Sequence, residues 1–280
     1  MTTPATTKPA SRFEDTLLSP RAFEAITNLF HRVSGIRLTE AKRALVTGRL
    51  NKLAQAYGAK SLDTYIEALM NGRAPDEMVK VIDKLTTNET YFFREPQHFD
   101  FLATRLAQRR ASRGDLRVWS AASSSGEEAY SLAMLLADKL GPTGWQVVGT
   151  DLSTAMVENA RRALYPMERA RHMPRDYLRR FCLKGQDEYE GQLLISRELR
   201  AKVQFECANL TQALPPIGEF DLIFLRNVLI YFDHAGKADI VRRVLTRLQP
   251  DGLLFTGHAE SLGNLGLPLR TVGPAIHGHG

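Results

Sequence analysis

Residues 116–140 read LRVWSAASSSGEEAYSLAMLLADKL. The run LRVWSAA is apolar almost without interruption, as expected of a strand buried on both faces of a sheet. SSSG is a loop of small residues, and GEEAYSLAMLLADKL has helical periodicity. Four further apolar runs follow: WQVVGTD (145–151), VQFECANL (203–210), FDLIFLRN (220–227) and GLLFTGH (252–258). Amphipathic stretches such as TAMVENARRALY (154–165) and KADIVRRVLTRLQ (237–249) alternate with them. Strand–helix alternation predicts an α/β fold with a doubly wound, mostly parallel sheet and right-handed crossovers. CLKGQDEYEGQLLISRELRAK (182–202) breaks the rhythm with turn glycines and alternating side chains, which predicts a β-hairpin appendage at about 181–202.

Upstream of residue 116 no strand pattern occurs. Residues 1–12 are rich in Thr, Pro and Ala and predict a flexible tail. Residues 13–85 are helical throughout and predict a small N-terminal bundle, leaving 86–280 for the α/β domain. Ser19-Pro20 opens a helix carrying Phe23, Ile26, Phe30 and Val33 at helical spacing, with Gly35 as its stop. The next helix places Leu45, Val46, Leu50 and Leu53 on one face and ends at Gly58.

At 280 residues the chain suits two domains. Its 44% hydrophobic and 24% charged content is ordinary for a globular protein and excludes a disordered one. The net charge of +6 suits an acidic partner without requiring nucleic acid, for which a stronger basic excess and a recognition helix are expected. Cys182 and Cys207 have no metal-site spacing, so no metal is expected. No apolar run approaches the roughly 18 residues of a membrane helix, and the N-terminus lacks a signal-peptide core. The expectation is a cytoplasmic protein without membrane insertion.

In an open α/β sheet, ligands bind beyond the carboxyl ends of the strands. The loop after the first strand has one glycine, so the dinucleotide fingerprint is absent and a nicotinamide dehydrogenase is disfavoured. Glu127 and Glu128 at the following helix start oppose a pyrophosphate and suit a cationic centre or free hydroxyls; complementing the helix dipole is the alternative. Asp151 ends the second strand, where a carboxylate accepts hydrogen bonds from ribose hydroxyls, unless it belongs to the cap of the next helix. Together these favour a nucleoside without a diphosphate, and S-adenosylmethionine is such a ligand. Asn209, Arg226 and Asn227 end later strands on the same edge. An arginine inside so apolar a run needs a partner, and a ligand cleft supplies one.

Five blocks in order carry a resemblance: TTNETYFFREPQHF (86–99), VWSAASSSGEEAYSLAM (118–134), GTDLSTAMVENARRALY (149–165), FDLIFLRNVLIYFD (220–233) and QPDGLLFTGHAESL (249–262). Together they resemble the chemotaxis receptor methyltransferases, the CheR family. The resemblance implies a protein-glutamate O-methyltransferase that uses S-adenosylmethionine and releases S-adenosylhomocysteine. Its substrates would be glutamates on the cytoplasmic domain of methyl-accepting chemoreceptors. It implies cofactor contacts from Asn88, Thr90, Arg94, Glu127, Asp151, Asn209, Leu210, Arg226 and Asn227, with Arg94 and Tyr231 near the transferred methyl. It also implies a substrate-facing second helix bearing Arg37, Lys42, Arg43, Arg49 and Lys52 against the single acid Glu40. In some members the β-appendage grips a receptor tail peptide.

The chemistry agrees with the resemblance. A glutamate carboxylate, with a reference pKa of about 4.3, is already ionised at neutral pH, so the missing Ser/His/Asp or Cys/His arrangement is no gap. A same-fold methyltransferase acting on another protein or small molecule, and a non-catalytic S-adenosylmethionine-binding module, are the competing readings. A surface salt bridge with Glu95 for Arg94, and a core position for Tyr231, are the structural alternatives. The C-terminal LRTVGPAIHGHG departs from the family: Gly273-Pro274 falls where a last antiparallel strand should continue, so that strand is expected to be short or frayed.

Overall fold

The computed structural model describes residues 13–14, 17–108 and 114–280. The predicted tail at 1–12 lies outside the described residues. The chain divides into two units, the first ending at Thr87 and the second spanning Asn88–Gly280.

The described residues of the first unit form four α-helices, α1 (Pro20–Ser34), α2 (Arg43–Tyr57), α3 (Leu62–Met70) and α4 (Glu77–Leu85), with a 3-10 turn at Glu40–Lys42. Ser19 caps α1 by accepting the Ala22 N–H at 3.2 Å, Pro20 supplies its preset φ at the first position, and Gly35 ends it in the left-handed region. Phe23, Ile26, Phe30, Val46, Leu50, Tyr65, Val81 and Leu85 form the buried interior. Leu45 departs from expectation: it is exposed, because α2 turns Val46, Thr47, Leu50 and Ala54 inward instead.

The second unit adds α5 (Pro96–Ala107), β1 (Leu116–Ala121), α6 (Glu127–Leu140), β2 (Trp145–Asp151), α7 (Thr154–Arg162), β3 (Leu164–Pro166) and α8 (Arg175–Phe181). There follow β4 (Cys182–Lys184), β5 (Gln192–Ile195), α9 (Arg197–Arg200), β6 (Val203–Cys207), β7 (Phe220–Leu225), α10 (His234–Leu245), β8 (Leu248–Thr256), β9 (Leu269–Gly273) and β10 (Ile276–His279). The main sheet runs β6-β2-β1-β7-β8-β10-β9, parallel from β6 to β8 and antiparallel beyond. Strand residues alternate between two apolar cores. Val118, Val147 and Phe224 face the core built with α5, α6 and α7, whereas Trp119, Val148 and Ile223 face the one built with α10. That two-sided burial is why the strands read as unbroken apolar runs. The order reverses at β1, whose neighbours are β2 and β7, so the switch point lies at their carboxyl ends.

The appendage contains the expected antiparallel pair, β4 with β5, but β3 joins on the other side to make three strands. The C-terminus corrects the sequence reading. Pro274 sits in a two-residue turn between β9 and β10, where it owes the ladder no N–H, and Ala275 takes the left-handed φ of 56°. β10 lies between β8 and β9, paired on both sides. No helix among the described residues is long and apolar enough to cross a membrane.

Candidate active site

The β1–α6 loop makes a sharp passage from strand to helix, with φ of 61° at Ala122 and 49° at Ser124. Gly126 leads into α6 at φ 94°, and a Cβ there would lie 2.8 Å from Ala160 Cβ and 3.0 Å from the Tyr165 hydroxyl. Only glycine meets both demands. This packing delivers Glu127 and Glu128 to the start of α6. Glu127 is 1% exposed; Oε2 accepts from Ser125 Oγ at 2.7 Å and Oε1 lies 3.6 Å from Arg169 Nη1. Burial raises its pKa above the usual carboxylate range, against the pull of Ser125 and Arg169.

Asp151, at the end of β2, is buried and accepts two backbone N–H groups, Ser124 to Oδ2 at 2.8 Å and Ser153 to Oδ1 at 2.9 Å. It therefore ties the β1 and β2 loops together. Asn88 is stitched to the same loop, its carbonyl accepting from Ser124 Oγ at 3.1 Å.

The block after Asn88 is locked onto the sheet. Thr90 is buried and its carbonyl accepts from Arg169. The Phe93 N–H donates to Ser131 Oγ at 3.0 Å. Phe93 and Glu95 both lie in the left-handed region, at φ 57° and 56°, so Arg94 stands on a strained bend. The Arg94 guanidinium donates to the Glu89 carbonyl at 2.9 Å and lies 5.8 Å from the Tyr91 ring centroid, while its own carbonyl accepts from Arg226.

Arg226, at the end of β7, has a side chain 1% exposed. Glu95 Oε2 lies 3.4 Å from its Nη2 and Glu128 Oε2 lies 3.5 Å from its Nε. Glu95 thus serves Arg226, not Arg94. Glu128 also accepts from Ser120 Oγ at 2.7 Å, and burial raises its pKa although Arg226 pulls it down. The balance at Glu95 differs: Arg226, the Asn227 amide and His258 outweigh burial and hold its carboxyl below the usual range. Asn227, with φ 58°, donates its side-chain amide to Glu95 Oε1 at 3.1 Å.

Asn209 and Leu210 follow β6. Asn209 Oδ1 closes a local turn by accepting from the Thr211 N–H at 3.0 Å and its hydroxyl at 2.7 Å, and the Leu210 carbonyl accepts from Arg243 at 2.6 Å. Tyr231 ends a short 3-10 turn, Leu229–Tyr231, and is half-buried. Hydrogen bonds join Asn88 and Asp151 to the loop leading to Glu127 on one side. On the other, Arg226 bonds the Arg94 carbonyl and pairs with Glu95, which in turn accepts from Asn227. Asn209, Leu210 and Tyr231 occupy neighbouring strand ends. Glu128, noted from sequence beside Glu127, belongs to this framework, as does Glu95, expected only as a salt-bridge partner of Arg94; Glu260 carries no signal in the sequence reading. A separate cavity of about 510 Å³ flanks edge strand β6, between Tyr130, Arg161 and Arg200, and contains none of the predicted residues.

This arrangement fits S-adenosylmethionine. Glu95, Glu127, Glu128 and Asp151 outnumber the paired cations Arg169 and Arg226, which suits a cationic ligand bearing ribose hydroxyls.

The basic residues belong to the first unit. Arg37, Lys42 and Lys52 are exposed, and Arg43 Nε lies 3.0 Å from Glu40. Arg49 has a structural duty: Nη1 donates to the Leu85 carbonyl at 2.8 Å and the Thr86 carbonyl at 3.2 Å, capping α4.

Comparison with known proteins agrees with this assembly. Residues 88–273 match the CheR methyltransferase, SAM binding domain, and residues 21–86 match the CheR methyltransferase, all-alpha domain. The chain is 40% identical over 251 residues to a chemotaxis protein methyltransferase of Salmonella typhimurium, covering 89% of this chain and 86% of that one. It is 38% identical over 259 residues to chemotaxis protein methyltransferase 2 of Pseudomonas aeruginosa, covering 91% of each. S-adenosylmethionine is its cofactor, methyl transfer its activity and chemotaxis its setting. The chain belongs to the CheR methyltransferase family.

Proposed function

We propose that the protein methylates glutamate side chains on the cytoplasmic domain of chemoreceptors, giving glutamyl methyl esters and S-adenosylhomocysteine. The observation that carries this reading is the set of polar residues in the segment before α5 and at the carboxyl ends of the strands, from Asn88 to Asn227, which offers cofactor-binding groups without an activated nucleophile. An ionised glutamate brings its own nucleophile and needs no general base. When bound, the cofactor supplies the electrophilic methyl group. The protein's part is to align the carboxylate oxygen with it and to exclude water, which contributes several kcal/mol, up to about 7–11 in ideal cases.

In this reading Asn88, Thr90, Glu127, Asp151, Asn209, Leu210, Arg226 and Asn227 hold the cofactor. Arg94, fixed by the bend at residues 93–95, binds and orients, and Tyr231 presents its hydroxyl to the reacting carboxylate. Arg37, Lys42, Arg43 and Lys52 receive the acidic receptor helix, while Arg49 is kept by α4. Edge strand β4, with Leu183 exposed, supports strand addition by a receptor tail peptide at the appendage.

The test is incubation with tritiated S-adenosylmethionine and receptor-containing membranes. Label that is released as volatile methanol by mild base marks carboxyl esters. Label that resists base, or appears on no receptor, refutes the assignment.

A further inference from the structure

Among the described residues, one cluster has metal-ligand chemistry, and it shares Glu95 with the framework around Arg226. Glu95 precedes α5, His98 lies in its first turn, and His258 follows β8. One ligand atom from each, a carboxylate oxygen and two imidazole nitrogens, lies within 4.8 Å of the others. The two imidazole centroids are 4.7 Å apart, with rings inclined at 61°.

His98 is the unusual member. Its side chain is 1% exposed, yet neither ring nitrogen has a partner in good hydrogen-bond geometry. Leaving a buried polar group unsatisfied is costly. Nδ1 faces Glu95 Oε2 at 3.6 Å, and that oxygen also has no hydrogen-bond donor. The other polar groups facing the ring are Arg226, His258 and the Pro274 carbonyl. A backbone carbonyl beside an imidazole is the usual outer partner that orients a metal-binding histidine.

We propose that Glu95, His98 and His258 form a binding site for a divalent transition cation of the zinc class. Two imidazoles and a carboxylate are a ligand set for zinc, leaving one position to solvent. Bonds near 2.0–2.1 Å require ligand atoms about 3.3 Å apart in a tetrahedron. Exposed His258 supplies the closing movement, because its ring is the one not enclosed by the core. Arg226 is a cation beside the site, but Glu128 also lies against it. Arg226 therefore retains a carboxylate when Glu95 turns toward a metal.

Calorimetric titration of the full chain with zinc chloride tests the site directly. The wild type binds one ion at this site, and His258→Ala weakens that binding at least tenfold while circular dichroism stays native. His277→Ala with His279→Ala removes the C-terminal histidines as an alternative source of binding and leaves the affinity unchanged. The proposal is overturned if His258→Ala binds as the wild type does, if the C-terminal double variant abolishes binding, or if the wild type shows no saturable binding. These readouts involve neither cofactor nor receptor, so they stand apart from the methylation reading.

Discussion

The Glu260 carboxylate accepts the backbone N–H of Asn227 at 2.7 Å. Its two oxygens also accept from Gly257 at 2.7 Å, Leu229 at 2.6 Å and Ile230 at 3.3 Å. One buried side chain from the loop after β8 therefore shapes the loop after β7, including the left-handed Asn227 and the turn that ends in Tyr231.

Replacing Glu260 with Gln removes the charge and turns one acceptor into a donor facing N–H groups. Hydrogen bonds to a charged acceptor contribute roughly 1.5–3 kcal/mol each. Glu260→Gln is expected to lower Tm by at least about 4 °C and to reduce kcat more than tenfold. Thermal unfolding and initial rates check both. A variant with native Tm and native turnover would show that this loop is held by other contacts.

Asp151 ties two loops together and is proposed to hold the cofactor ribose, and substitutions separate the two roles. Asp151→Ala loses the tie between Ser124 and Ser153 as well as the ribose acceptor, so both stability and cofactor affinity fall. Asp151→Asn keeps one acceptor for the loop and should spare much of the fold. Its affinity for S-adenosylhomocysteine is expected to drop roughly 10- to 100-fold, matching one or two lost bonds to a charged acceptor. Native affinity in a folded Asp151→Asn would remove the ribose contact from the account.

Docking of an acidic receptor is testable at residues with no structural task. Lys42→Glu with Lys52→Glu reverses two exposed charges, and Lys42 stands at the N-terminus of α2, where an acid also suits the helix dipole. The receptor KM should rise several-fold with cofactor affinity unchanged. Exposed pairs contribute about 0.2–1 kcal/mol each, and reversal turns each attraction into repulsion. High salt should shrink the difference between wild type and variant. Equal KM values at low salt would place the docking face elsewhere. Arg49→Ala should instead lower Tm, since it uncaps α4.

The α/β fold was legible because both sheet faces are apolar and helices of clear periodicity alternate with the strands. The strand-end residues were legible because polar groups interrupt those apolar runs. The pairing of Glu95 with Arg226 was not, since 131 positions separate them and no local spacing signals a tertiary ion pair. Glu95 was read instead as the neighbour of Arg94. Ala275 hid the β9–β10 turn, because a left-handed position there would ordinarily announce itself as glycine, and Pro274 then read as an interruption within a strand. Leu45 misled for a different reason: helical spacing gives the phase of a face but not its width.

The two thiols should react unequally. Burial pushes the Cys182 thiol up to about 12, so at pH 8 only about one molecule in ten thousand carries the thiolate. Cys207 is exposed at the end of β6, paired in register with Asp151. Ellman's reagent should therefore titrate one thiol in the native protein at pH 8 and two after denaturation. S-adenosylhomocysteine should slow the native reaction if Asp151 holds the ribose as proposed, because Cys207 pairs with it across the β2–β6 ladder. Two native thiols reacting at equal rates would contradict the burial of Cys182.

The most direct measurement is mass spectrometry of receptor peptides after reaction with S-adenosylmethionine. The account predicts a methyl increment on glutamate side chains, removed by mild base. Methyl groups on lysine, arginine or a peptide terminus, stable to base, would contradict it.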